Sequence, residues 1–228
     1  MLDVLYEDNH IIVVIKPQNV PSQPDASGDK DMLTMVKEYV KEKYNKPGEA
    51  FIALVHRLDR PTGGVMVFAR TTKAASRVCG QFQRAGVGKI YYAVVKGEPK
   101  IKRDYLINYI KKDLRENKAS IVPRGEKGAK RAELLYETVE TKSNHTLLKV
   151  ELKSGRGHQI RLQLANIGHP IYGDAKYGNT KNIENAKTTN LALWAGELRF
   201  KHPTQEKMLH FKVNPPRTGA FKLFRFTN

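Results

Sequence analysis

The chain is short of the residues that hold disulfide-stapled or metal-built proteins together. It has one cysteine, Cys79, which excludes an internal disulfide and any Cys-x-x-Cys knuckle. Its seven histidines contain no His-x-x-x-His pair, so no metal set emerges. Neither Gly-x-x-x-x-Gly-Lys-Ser nor Gly-x-Gly-x-x-Gly occurs, which argues against a nucleotide cofactor. No apolar run approaches the roughly 20 residues of a membrane span. The first residues, Met1 to His10, lack the basic-then-apolar pattern of a secretion signal, so cytoplasmic residence is the default expectation. Repeats and low-complexity tracts are absent, and no domain boundary stands out.

What the chain has in excess is positive charge. Across 228 residues, 40 Lys and Arg face 23 Asp and Glu, a formal net charge of +17. Such a surface calls for a polyanionic partner, nucleic acid first and an acidic membrane surface second. The 40% hydrophobic content suits an ordinary globule of one large domain, with Cys79 as a buried apolar side chain.

Val4 to Glu7 and His10 to Ile15 predict an opening hairpin, and Lys16 to Asp25 an extended, Pro-punctuated loop. Leu33, Val36, Val40 and Tyr44 recur at helical spacing between Asp31 and Tyr44. Thr71 or Thr72 caps a second helix running to about Arg84. Lys89 to Val95 predicts a strand in which Tyr91 and Tyr92 face opposite sides, one in the core and one at a surface or cleft. Lys111 to Arg131 is a basic interval, readable as a solvated hairpin rim that also suits phosphate contact. Strands follow near Ala132 to Glu140 and His145 to Leu152, with closing strands and a tail beyond Leu191.

Two stretches are chemically dense. In the first, Val55 to Phe68, Asp59 stands between Arg57 and Arg60 on a charged, Gly-containing link between two apolar runs. Flanking cations favour a carboxylate's charged form, so Asp59 is a candidate nucleophile or base, against the plainer reading of an exposed turn residue. In the second, Ser154 to Asp174, a glycine-flanked link enters a segment stopped by Gly168 and Pro170, which predicts a helix although Ile160, Leu162 and Leu164 alternate. On that helix His158 and Arg161 share a face. Each has a plain structural alternative, as a hydrogen-bonded histidine and a surface cation.

Together these stretches resemble RluA-type pseudouridine synthases, which isomerise uridine in structured RNA. The resemblance is carried by His56-Arg57-Leu58-Asp59-Arg60-x-Thr62-x-Gly64, Lys89-x-Tyr91-x-Ala93, Gly155-Arg156-x-His158-Gln159-Ile160-Arg161 and Gly168-His169-Pro170-Ile171-x-Gly173-Asp174, with an echo at Leu198-x-Phe200-x-His202-Pro203. It departs at Pro61, Gly63, Gly157 and Trp194.

The resemblance implies an α+β fold: a mixed, largely antiparallel central sheet, flanking helices and a basic RNA-binding cleft, in a single catalytic domain with no separate N-terminal RNA-binding domain. It implies Asp59 as catalytic carboxylate, Tyr91 as the residue stacking on the base and Arg161 as the basic partner of Asp59. Arg57 enters the RNA as the target base leaves, and Ile160 or Leu162 makes apolar contact with the base. Lys127, Lys130 and Arg131, in the basic interval, are expected phosphate contacts. No metal and no cofactor is needed, the partner is ribosomal or transfer RNA rather than a membrane, and a monomer is expected. Two rivals are a non-catalytic RNA-binding or ribosome-assembly protein and a nucleoside-cleaving enzyme. The latter requires a second carboxylate, for which Asp174 is the candidate.

Overall fold

The computed structural model describes residues 2–45, 47–113, 115–178 and 190–226. The chain forms two compact units, Met1–Gly88 with Ala195–Val213, and Lys89–Trp194 with Asn214–Asn228.

In the first unit the opening hairpin forms as expected. β1 (Asp3–Glu7) pairs antiparallel with β2 (Ile11–Lys16), which pairs antiparallel with β4 (Gly63–Ala69). β4 is bonded in turn to β10 (Leu193–Lys201), β11 (Met208–Lys212) adds to β10, and the two-residue β3 (Ala53–Leu54) adds to β4. Ile11, Val13, Val65, Val67 and Phe200 form one side of this unit's core and receive Ala74 and Val78 of α2 (Thr72–Gln83). Both helices are capped by side chains, the second by Thr71, one of the two residues its sequence offered. Asp31 accepts from the Thr34 amide ahead of α1 (Met32–Lys43), and Thr71 accepts from the Ala74 amide ahead of α2. The buried stripe of α1 is Met32, Val36 and Val40, whereas Tyr44 is the C-cap and exposed.

The second unit is an antiparallel sheet in the order β5 (Gly88–Lys96), β9 (His145–Leu152), β8 (Lys130–Lys142), β6 (Arg103–Asp113), β7 (Lys118–Val122). The basic interval is therefore a hairpin rim, and it also contains a strand, β7, that its charge had concealed. Strand alternation sorts this sheet's side chains: Tyr91, Val150 and Tyr136 are in register on one face, and Tyr92, Lys149 and Glu137 on the other. Tyr92 is the core tyrosine, 9% exposed and edge-on to Phe226, while Tyr91 is half-buried.

α3 (Gln159–Asn166) lies on the Tyr91 face. Its buried Gln163 Nε2 donates to Asn108 Oδ1, and Leu162 packs against Ile110, Ala119 and Ala132. The helix ends as the punctuation predicts. Gly168 takes a left-handed φ of 83°, its amide donates to Ala165 O, and the His169 amide donates to Leu164 O. Among the described residues no helix is long and apolar enough to cross a membrane.

Gly64 is a position where only glycine fits. Its φ is 125°, and a Cβ there would lie 2.2 Å from the Ala195 carbonyl oxygen. Gly64→Ala is expected to lower unfolding stability by about 3 kcal/mol or more, through forced separation of β4 and β10. Gly48→Ala, whose Cβ meets nothing within 4 Å, should change it by less than about 0.5 kcal/mol. Urea midpoints of the two variants test this, and equal midpoints would contradict it.

Candidate active site

Arg57 and Asp59 lie in the first unit, and Tyr91, Lys127, Lys130, Arg131, Ile160, Arg161 and Leu162 in the second.

In the first unit Asp59 sits on the link between β3 and β4, where its carbonyl accepts from the Thr62 amide at 2.9 Å to close a turn through Arg60 and Pro61. Arg57 is exposed and Asp59 half-buried. Arg60 is drawn away from the role its position suggested. Its Nη1 bonds Ser27 Oγ at 2.9 Å and faces Asp25, its Nη2 pairs with Asp29, and its Nε donates to Asn19 O. The turn is held from beneath by Lys16, Gln18 and Ser22, at and just after the end of β2.

Lys16, the last residue of β2, has no exposed surface. Its Nζ donates to the carbonyls of Thr62 (2.7 Å), Arg60 (2.9 Å) and Pro17 (2.9 Å). Ser22 Oγ donates to Leu58 O at 2.7 Å and accepts from the Leu58 amide at 3.2 Å, and Gln18 donates to Pro61 O. Burial pushes the Lys16 pKa down to about 7, the Asp59 carboxylate acts in the opposite direction, and Arg60 adds to the lowering. An ammonium has three N–H groups, and the three carbonyls match them. The signal in the sequence was a single Lys closing an otherwise apolar run, Ile11 to Ile15. His56, beside Arg57, is structural: its Nε2 accepts from the Val67 amide and its ring stacks on Phe82 at 4.6 Å.

In the second unit Arg161 forms a buried bidentate pair with Asp174, Nε to Oδ2 at 2.8 Å and Nη2 to Oδ1 at 2.7 Å. The side chains are 7% and 0% exposed. Asp174 also accepts from the amides of Lys176 and Tyr177. Burial alone would raise its pKa. The hydrogen bonds and charge of Arg161, with the two amides, outweigh that and hold the carboxyl below its usual value. Asp174 is thus Arg161's support, which a glycosidase's second carboxylate, kept protonated to act as acid, is not.

Tyr177 completes the group and was missed by sequence reasoning. Its ring lies 5.3 Å from the Arg161 guanidinium carbon, and its hydroxyl accepts from the Ala119 amide and bonds His158 Nδ1 at 2.8 Å. His158 is itself the N-cap of α3, at φ 58°. Its predicted neighbour relation to Arg161 therefore runs through Tyr177.

Other predicted contacts separate. Ile160 is 4% exposed, and Leu162 spends its side chain on the Ile110, Ala119 and Ala132 cluster. Lys130 pairs with Ile110 on the α3 face, while Arg131 pairs with Tyr109 on the opposite face and sets Nη2 3.2 Å from Glu133. Adjacent strand residues cannot share a face, so Lys130 and Arg131 do not form one patch. Lys127 is exposed in the β7–β8 connection. Among the described residues no three His, Cys, Asp or Glu side chains gather as a metal set.

A family model described as RNA pseudouridylate synthase matches residues 10–166. A ribosomal large subunit pseudouridine synthase D of Zymomonas mobilis is 30% identical over 236 residues, covering 100% of this chain and 74% of that protein. A tRNA pseudouridine synthase C of Vibrio vulnificus is 30% identical over 99% of this chain and 96% of its own length. The fold matches a human RNA pseudouridylate synthase domain structure with TM-score 0.79 at 24% identity, covering 94% of this chain and 89% of that one.

Two outcomes are expected from this geometry. Lys16→Met, which strands three carbonyls around an apolar side chain, should cost about 3 kcal/mol in urea unfolding. An unchanged midpoint would show that the turn does not depend on the ammonium. For Asp174, whose folded pKa is depressed, the stabilisation is fully present above the usual value of 3.8 and is lost as pH falls through the folded value below it. Asp174→Asn should therefore lie about 3 kcal/mol below the parent at pH 7, with the gap closing as pH falls below about 4. A gap that stays constant down to pH 2 would contradict the pairing.

Proposed function

The chain belongs to the RNA pseudouridylate synthase family, and on that footing we propose that it isomerises specific uridines of ribosomal or transfer RNA to pseudouridine with Asp59 as the catalytic carboxylate. Its named relatives act on ribosomal large-subunit RNA in one case and transfer RNA in another, and this chain's partner is RNA of one of those two kinds. The observation that carries the assignment of Asp59 is its setting. It stands, half-buried, on a turn whose carbonyls are gripped by the buried Lys16. A carboxylate that must meet one sugar carbon needs a support that does not yield.

In the reaction the bond between uracil N1 and ribose C1′ breaks, the base turns in place, C5 bonds to C1′, and the C5 proton leaves to solvent. Atoms and electrons balance within the nucleotide, so no oxidant or co-substrate enters. Asp59 serves at the sugar, by attack on C1′ or by removal of the C2′ proton, and both routes use the ionised carboxylate. Tyr91, half-buried on its strand, supports the uracil ring by stacking. Arg161, held by Asp174 in a buried bidentate pair, is by family resemblance the basic residue of the site. Arg57, exposed and planar, occupies the place that the extruded base leaves. Of the two apolar candidates for contact with the base, Ile160 is the one not packed into the Ile110, Ala119 and Ala132 cluster, while Lys127, Lys130 and Arg131 contribute to phosphate attraction from different parts of the rim. We read residues 1–228 as one catalytic domain.

The test is tritium release from C5-labelled uridine in unmodified ribosomal and transfer RNA, run with the protein and its Asp59→Ala form. Release by the parent, with at least a 1,000-fold loss in the variant and RNA affinity kept, is expected. Silence from the parent on RNA that it binds would favour a non-catalytic RNA-binding protein. Release of free uracil would favour a nucleoside-cleaving enzyme.

A further inference from the structure

One buried cation of the second unit has no counter-charge. Lys89, in β5, is 9% exposed, and among the described residues it has no carboxylate partner. Burial lowers its pKa, and the positive charge of Arg156 nearby lowers it further. A buried ammonium without an anion is unfavourable, the exposed Arg156 adds repulsion rather than relief, and an anion that arrives later would answer both.

The setting indicates which anion. Lys89 and Tyr91 are two apart on one strand, so they project from the same sheet face, about 7 Å from each other. Arg156 lies in the link between β9 and α3, fixed there because its Nε donates to Arg131 O while its own amide donates to Gln159 Oε1. Among the described residues only the Nε of its guanidinium is bonded, which leaves two terminal nitrogens for a ligand. Lys112 stands over the next residue, its Nζ about 4.0 Å from where a Cβ on Gly157 would be. Glu133, in β8, is taken by Arg131 and Tyr105 on the opposite face.

We propose that Lys89 and Arg156 form a clamp for one backbone phosphate of the RNA, next to the nucleotide whose base stacks on Tyr91, with Lys112 at its rim. The inference rests on the proposed function, because it takes Tyr91 as the base platform. It adds a specific role for the Lys of Lys89-x-Tyr91: the strand that offers a ring to the base offers an ammonium to the adjoining phosphate. The desolvated ammonium is held without its counter-charge until RNA supplies it, so the clamp trades folding stability for affinity.

The experiment measures binding of oligouridylate and of unmodified transfer RNA transcripts at several salt concentrations, using the full chain, Lys89→Met and Arg156→Gln, with thermal midpoints recorded beside them. Each variant should flatten the dependence of log affinity on log salt by about 0.7 to 0.9, equivalent to a roughly sixfold loss at 0.1 M salt. The double variant should flatten it no more than about that amount, since both side chains hold one phosphate. Lys89→Met should also keep or raise the thermal midpoint, whereas a structural lysine would lower it. An unchanged salt slope in Lys89→Met, with tritium release by the parent intact, would overturn the clamp and leave the functional reading standing. A parent with no salt-dependent RNA binding and no tritium release would overturn the functional reading, and the clamp with it.

Discussion

The bond set made by the Lys16 ammonium is the constraint on which the Asp59 turn depends. Backbone carbonyls in a turn have no ladder partner, and burying them without donors is costly. Here three converge on one Nζ from Pro17, Arg60 and Thr62, so the turn's shape is set by a point charge inside the unit rather than by local turn preference. Ser22 adds a second anchor at Leu58, and Gly64 lets β4 approach Ala195 closely just after the turn. The chain segments on either side of Asp59 therefore have little freedom, and the carboxylate inherits that rigidity.

The second unit solves a different problem. A buried guanidinium needs an anion, and one held by two bonds is also fixed in orientation. Asp174 supplies both the charge and the orientation, with two backbone amides holding the carboxylate in turn. Tyr177 then ties Arg161 to His158 and to β7 through its ring and hydroxyl. Much of the chain's charge is spent in such local work. Arg60 is committed to Asp25 and Asp29, and Arg131 to Glu133. Lys89, by contrast, is buried with no carboxylate partner among the described residues.

Much of the architecture was legible before any coordinates. Apolar spacing and capping residues located α1 and α2 to within a residue or two, because caps act through hydrogen bonds to amides three positions away. The stop at Gly168 was legible for the same reason. β7 was not, since in a two-stranded rim the alternating side chains are mostly solvated and no apolar period marks the strand.

By itself the sequence determined the family, the chemical identity of the dense stretches around Asp59 and Arg161, and the surplus of positive charge. All of these are properties of residue type and short spacing. Only the tertiary structure decided that Lys16 meets carbonyls 44 and 46 residues away, that Arg161 takes Asp174 as its partner, and that Lys89 is buried with no carboxylate partner among the described residues. Those relations depend on how strands from distant parts of the chain are brought into register, and no local period encodes which buried polar groups will then face one another.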